Sequence, residues 1–247
     1  RGFAAYDRLD PQRSLKRTVA LLEVDRDLRA EFGRHENDGV TVQYTDDGFD
    51  AARARVLAAE LSRALDDASR LTGLPRRETL TAVVYPAREE LFAATCVRSW
   101  TAAVYDGTLR LVVARGSADG VDHKSMRHEA MHAQAIPYAP DAPRWFHEGL
   151  ADLFAADVAP ARPLWKRLVD NGTWIPLASL EGSLTAIEAN DAAQLAYAQS
   201  LAMVMKLRDD AGEHALRTAL EAFHAGRSTT DVLRELQVGL EGPPLLD

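Results

Sequence analysis

Two histidines lie four residues apart near the middle of the chain, and a glutamate directly follows the first. They are His128, Glu129 and His132. Residues four apart on a helix share one face, so the two imidazoles can hold one metal ion at about 2.0–2.1 Å each. Glu129 lies about 100° further around the helix axis, where its carboxylate can reach a reacting water instead of the metal. The pattern therefore predicts a metal-dependent hydrolase, and two helix-surface histidines flanking an exposed carboxylate are the structural alternative.

A candidate third ligand follows on the next predicted helix. Glu148 comes 16 residues after His132, and two histidines with one carboxylate leave a fourth tetrahedral position open, as a catalytic zinc requires. Asp152, one helical turn further on, can accept the second ring N–H of a ligating histidine and fix its tautomer. The structural alternative is that Glu148 and Asp152 are solvent-exposed charged residues on a helix.

Turn and cap residues divide the chain into the elements that must position these side chains. Val40, Val42 and Tyr44 alternate as a strand does, and Asp106-Gly107 predicts a two-residue hairpin turn. The ends of the other predicted helices and strands follow from helix-cap residues, glycines and prolines. The sequence predicts strands over residues 40–44, 80–85, 100–105 and 108–114, and helices over residues 11–32, 51–72, 87–95, 122–135, 143–156, 162–170, 191–208, 213–224 and 229–236.

Composition excludes several classes of protein. The 247 residues are 47% hydrophobic and 27% charged, as in an ordinary globular chain, and the net charge of −8 lacks the basic surface that nucleic-acid binding requires. We expect no nucleic-acid partner, and no transmembrane segment, because the apolar runs are far shorter than the roughly 18–20 residues of a membrane span. The single cysteine, Cys96, cannot form an internal disulfide.

The compartment stays undetermined. The chain begins at Arg1 without an initiator Met, a basic leader or an apolar leader segment. We interpret it as a processed protein or as a fragment of a longer bacterial protein. An exported protein is one of the interpretations that the sequence allows.

The segment around Glu148 resembles a family signature. The His-Glu-x-x-His run is followed by Trp145, Phe146, Glu148, Gly149, Leu150 and Ala151. This arrangement resembles the gluzincin, or thermolysin-like, branch of zinc metallopeptidases, and is closest to bacterial peptidase MA-like domains. The resemblance implies one Zn²⁺ held by His128, His132 and Glu148, with Asp152 supporting a ligating histidine.

The resemblance extends loosely to both sides of this core. Upstream, the small side chains of Ala102, Ala103 and Val104 resemble the edge strand along which a peptide substrate lies as an added strand; an ordinary hairpin is the alternative. Downstream, Tyr197 lies in a similar Tyr-x-x-Ser helix, where it either donates a hydrogen bond to the developing oxyanion or simply packs.

One position departs from the family pattern. His147 occupies the place directly before the ligand glutamate, where several relatives carry Asn. We expect His147 to hydrogen-bond the substrate, or to replace Glu148 on the metal, although the helical phase favours Glu148.

The predicted fold class is α+β and mostly helical. The resemblance implies a zincin-like, two-lobed domain with a small mixed β-sheet in the N-terminal lobe and a helical C-terminal lobe. We expect residues 1–38 to form a helical extension or linker, residues 39–135 an α/β lobe ending in the His-Glu-x-x-His helix, and residues 136–247 a helical lobe carrying the third ligand.

These observations predict a zinc-dependent metallopeptidase acting on peptides or polypeptides. Zinc polarises the scissile carbonyl and acidifies a water, while Glu129 serves as general base and then as general acid. Two alternatives remain open. One is a catalytically inactive zincin-like binding or scaffold module, and the other is a zinc hydrolase of a non-peptide amide.

Overall fold

The computed structural model describes residues 11–46, 48–96, 102–113, 120–155, 174–182 and 190–239. Strands occur in the first half of the described chain, and helices dominate the second. The fold is therefore mixed α+β, as the sequence predicts. The elements are α1 (Pro11–Leu28), β1 (Gly33–Asn37), β2 (Val40–Tyr44), α2 (Ala51–Thr72), β3 (Leu80–Tyr85), α3 (Arg88–Thr95), β4 (Ala103–Tyr105), β5 (Leu109–Val112), α4 (His123–Ala135), α5 (Arg144–Ala155), α6 (Leu177–Leu180), α7 (Asn190–Ala211), α8 (Ala215–His224) and α9 (Thr229–Leu236).

The five strands form one small mixed sheet in the order β1-β2-β3-β5-β4. β2, β3 and β5 run parallel, whereas β1 and β4 run antiparallel to their neighbours. The hairpin predicted at Asp106-Gly107 is present and places β4 at one edge of the sheet. The predicted two-residue turn is wrong, since Tyr105 pairs with Leu109 and residues 106–108 connect the strands. Gly107 has a positive φ but Asp106 does not, whereas a two-residue turn of the Asp-Gly type requires it at both positions. The predicted hairpin strands include residues 100–101 and 114, which lie outside the described residues.

β1 is a strand that the sequence analysis missed. Its sequence, Gly-Arg-His-Glu-Asn, is polar and shows no apolar alternation. It pairs with β2 across a two-residue turn in which Asp38 has φ 47° and Gly39 has φ 75°. Two successive positive φ angles are the geometry that an Asp-Gly pair favours in a tight hairpin. β1 has no apolar face of its own, and backbone pairing with β2 holds it at the edge of the sheet.

The predicted end of the first helix is also wrong. α1 ends at Leu28, and short turns replace the predicted helix up to Phe32. Because the helix ends at Leu28, the Phe32 ring can pack edge-on against the Tyr85 ring, with the ring centroids 6.2 Å apart. Both rings belong to a core cluster that also contains Val83, Leu91 and Ala94. Tertiary packing thus overrides the helical pattern of this segment.

Most other elements lie where the sequence predicts them. β3 and α9 have the predicted limits, and α4, α5 and α8 differ by a residue or two. The one-turn helix α6 was not predicted. The predicted helix over residues 162–170 lies outside the described residues.

The chain divides into two compact units, residues 1–64 with 77–129 and residues 65–76 with 130–247. The first contains the sheet with α1 and α3, and the second contains α5 packed against α7. In the second unit the rings of Phe146 and Phe223 meet at 5.2 Å. The predicted boundaries after residues 38 and 135 stay a prediction.

Among the described helices, none combines the length and the apolar character needed to cross a lipid bilayer.

Candidate metal centre

Helix α4 carries both candidate histidines and begins at a well-formed cap. The carboxylate of Asp122 accepts hydrogen bonds from the hydroxyl and the backbone N–H of Ser125, the latter at 3.0 Å. The Ser125 hydroxyl is the main reason that the pKa of Asp122 is lowered, and an ionised carboxylate is favourable at a helix N-terminus. Within the helix, His132 is buried, His128 is half-buried and Glu129 is only 9% exposed. These side chains are therefore not the solvated surface groups of the structural alternative.

The end of α4 is tied to the loop after α2. The side-chain amide of Gln134 donates a hydrogen bond of 2.8 Å to the carbonyl of Pro75. Ala133 and Ala135 on either side are buried. This anchor fixes the helical turn that presents His132.

Helix α5 positions Glu148 through close packing. Trp145, Phe146 and Leu150 are fully buried, and Gly149 lies against the backbone of α7. A Cβ atom on Gly149 would lie 2.2 Å from the carbonyl oxygen of Ser200. The glycine that follows Glu148 therefore permits the close approach of the two helices.

The two helices bring the predicted ligands together. Single donor atoms of His128, His132 and Glu148 all lie within 4.8 Å of one another. Nε2 of His132 is 3.4 Å from Oε2 of Glu148. Two ligands at about 2.0–2.1 Å from a tetrahedral metal are about 3.4 Å apart, so this spacing suits a shared ion. The group can bind a metal ion.

Arg144 also contacts Glu148, a residue pair that was not predicted from the sequence. Its Nε lies 2.7 Å from Oε1 of Glu148 in an ion pair, and this nitrogen is shielded from solvent although the side chain as a whole is 38% exposed. Arg144 precedes Glu148 by four residues, and that spacing places two helical residues on one face. The i, i+4 spacing of opposite charges was the available signal.

His147 is held away from the ligand group by a backbone contact. Its Nε2 lies 3.0 Å from the carbonyl oxygen of Ala139, and the residue is 3% exposed. Burial, followed by the neighbouring His132, lowers the pKa of His147 to about 4, so its ring is neutral and its Nε2–H donates to Ala139. In the described residues Glu148, and not His147, joins the two histidines. A contact between His147 and substrate stays a prediction.

A second histidine holds the loop between α4 and α5. Nδ1 of His224 lies 2.6 Å from the carbonyl oxygen of Tyr138, and the two rings stack with centroids 4.6 Å apart. With His147 bound to Ala139, successive carbonyls of the loop each have a histidine partner. The loop that separates His132 from Glu148 is thus fixed from α5 and from α8. No spacing pattern in the sequence pointed to His224.

The remaining predicted site residues have defined positions without a tested role. Asp152 lies half-buried one turn after Glu148 on α5. Tyr197 is half-buried on α7, three residues before the Ser200 that faces Gly149. Ala103 and Val104 belong to the edge strand β4, and Ala102 precedes it, with its carbonyl accepting from the N–H of Val112.

A scan against protein-family models finds no match for this chain, and a search of curated proteins finds none. The resemblance to gluzincins therefore stays a prediction.

Proposed function

We propose that this chain is a zinc-dependent metallopeptidase of the gluzincin type with a zincin-like, two-lobed fold. The observation that supports it is the meeting of His128, His132 and Glu148, whose donor atoms lie within 4.8 Å of one another. The two histidines come from a His-Glu-x-x-His helix and the carboxylate from the next helix. That combination is typical of hydrolytic zinc sites.

The donor chemistry fits zinc. Two imidazole nitrogens and one carboxylate oxygen suit a borderline-soft divalent cation, and three protein ligands leave a coordination position open. His128, His132 and Glu148 would hold the ion. When bound, zinc would supply Lewis acidity, which polarises a carbonyl group and lowers the pKa of water.

Glu129 performs the proton transfers in this proposal. Its carboxylate is nearly buried and lies next to His128 on the ligand helix. It accepts a proton from the attacking water as the water oxygen bonds to the peptide carbonyl carbon. It then delivers that proton to the nitrogen as the C–N bond breaks, so one carboxylate is base and acid in turn.

A polypeptide substrate would align with β4. This strand is an edge of the described sheet, and the side chains of Ala103 and Val104 are small enough for a second backbone to approach. Extended peptides bind sheet edges through main-chain hydrogen bonds. In this proposal Tyr197 stabilises the oxyanion, His147 contacts the substrate, and Asp152 orients a ligating histidine.

Two variants test the proposal, with zinc content and peptide cleavage measured on each. His132→Ala should lose zinc and activity, because a ligand is removed. Glu129→Gln should retain zinc while cleaving a quenched-fluorescent peptide library at least about a hundredfold more slowly, because the proton acceptor is removed. His123→Ala is the matched control, since His123 is an exposed histidine on the same helix.

The outcomes separate the competing functions. Zinc retained by His132→Ala, or full activity of Glu129→Gln, would contradict the assigned roles. A wild-type chain that holds zinc but cleaves no peptide would contradict the peptidase proposal and favour an inactive zincin-like module or a hydrolase of another amide.

A further inference from the structure

Arg144 is placed where local helix energetics disfavour it. It is the first residue of α5, and no acidic residue occurs in that first turn. A positive charge at a helix N-terminus opposes the helix dipole, and the order Arg followed by Glu at i+4 is the weaker orientation for a helical ion pair. Intrinsic helix stability therefore does not account for an arginine here, whereas its contact with Glu148 does.

The contact divides the two oxygens of Glu148 between different partners. Oε1 lies 2.7 Å from Nε of Arg144, while Oε2 faces Nε2 of His132 at 3.4 Å. The carboxylate is almost fully buried, so an unpaired negative charge there would be costly. Arg144 supplies that counter-charge in the metal-free protein and leaves Oε2 as the oxygen nearest the histidines.

The same counter-charge must oppose a bound cation. A divalent ion that binds His132 and Glu148 gains less electrostatic binding energy from a carboxylate that already has a counter-charge than from one that has none. It is also repelled by the guanidinium, and both effects are strong where water is excluded. We propose that Arg144 is a positioning residue that stabilises the empty site and weakens its affinity for zinc. This inference rests on the proposed metal site and adds control of metal affinity to it.

The test compares zinc affinity among full-length variants by competition with a chromophoric chelator. Arg144→Met should bind zinc about tenfold more tightly than the wild type, because both opposing effects are removed. Its zinc-free form should unfold at a lower temperature than zinc-free wild type, because Glu148 loses the ion pair with Arg144. Arg144→Lys keeps the charge, and its zinc dissociation constant should stay within about threefold of wild type.

A matched pair elsewhere in the second unit provides the control. Arg217 and Glu221 form the same i, i+4 contact, Nε to Oε1 at 2.8 Å, on the surface of α8. Arg217→Met should leave zinc affinity unchanged. If Arg144→Met does not fold when metal-free, Arg144→Gln removes the charge while keeping a donor, and it should also bind zinc more tightly than wild type.

The outcomes distinguish this inference from the proposed function. If wild type binds zinc, His132→Ala does not, and the neutral Arg144 variants bind it equally or more weakly than wild type, the metal site stands and the inference is overturned. If wild type binds no zinc, both are overturned. Tighter binding in the neutral variants with unchanged affinity in Arg217→Met supports the inference.

Discussion

At the scale of single residues, Asp25 is the centre of a buried charged cluster in the first unit. Its carboxylate is 2% exposed and accepts both Nη atoms of Arg110, at 2.7 and 3.1 Å, and the hydroxyl of Tyr85 at 2.6 Å. Arg29 adds an ion pair at 2.7 Å. These contacts join α1 to β3 and β5, so the cluster holds the first helix on the sheet.

Asp25→Asn should lower the free energy of unfolding by about 3 kcal/mol, because Arg110 loses its buried counter-charge and keeps only the more exposed Asp106, which lies 2.9 Å from its Nε. Urea unfolding at neutral pH measures the loss. Asp27→Asn is the control, since Asp27 pairs with Arg26 on the exposed side of the same helix, where an ion pair contributes little. Equal losses in both variants would contradict the role given to Asp25.

The same cluster predicts a pH dependence. Burial acts to raise the pKa of Asp25, but the hydrogen bonds from Arg110 and Tyr85 and the nearby arginine charges outweigh it, so the pKa lies below its ordinary value of 3.8. The folded state therefore takes up a proton at Asp25 less readily than the unfolded state. The resulting stability is complete above the unfolded pKa and is lost as pH falls through the folded pKa.

We expect the stability difference between wild type and Asp25→Asn to stay constant from pH 7 to about pH 5 and to shrink below about pH 4. Urea unfolding over a series of pH values measures it. A difference that grows in acid would have the wrong sign for this carboxylate.

Ligand residues were easier to predict than their partners. The His-Glu-x-x-His spacing is set by one helix, and a local pattern is readable from sequence. The i, i+4 pair of Arg144 and Glu148 can be read from the sequence in the same way, but such pairs are common on exposed helix faces. Only the burial of the Glu148 carboxylate distinguishes this pair, and burial is known from the structure alone. His224 contacts a loop carbonyl 86 residues away in sequence, and no spacing rule connects them.

At the scale of elements, the close approach of α5 and α7 depends on Gly149. An added methyl group would collide with the carbonyl of Ser200, which belongs to the backbone and cannot turn away as a flexible side chain can. Gly149→Ala should therefore lower the free energy of unfolding by about 1–3 kcal/mol. It should also reduce zinc content, because the neighbouring Glu148 shifts with the helix.

Urea unfolding and metal analysis of the purified variant check both effects. Gly182→Ala is the control, because no atom of the described residues lies within 4 Å of the methyl group it would add. Unchanged stability and zinc content in Gly149→Ala would show that the two helices can move apart without cost.

The elements that the sequence predicts are those with their own local signals. α2 begins after Asp50, whose carboxylate accepts a hydrogen bond from the N–H of Arg53 at 2.9 Å. β3 is a mostly apolar run, rich in residues that favour strands, and it ends before Pro86. β1 has neither signal, and only the Asp38-Gly39 turn indicated it. Applying to Asp38-Gly39 the turn rule used for Asp106-Gly107 would have predicted the strand.

At the scale of the whole molecule, the ligand group depends on folding. His132 and Glu148 are 16 residues apart in sequence, and their donor atoms approach to 3.4 Å because α4, the connecting loop and α5 are each fixed in place. An unfolded chain does not hold this arrangement. A metal that binds here therefore stabilises the folded state over the unfolded one.

Zinc added to the metal-free protein should consequently raise its thermal unfolding temperature. At a free concentration of about one hundred times the dissociation constant, binding contributes about 2.7 kcal/mol, which corresponds to a rise of about 5–10 °C for a chain of this length. Scanning calorimetry with and without zinc measures the shift. His132→Ala should show almost none, whereas the control His123→Ala should behave as the wild type does. An equal rise in His132→Ala would mean that zinc acts at another place in the molecule, because a site that has lost one of its three protein ligands cannot give the full effect.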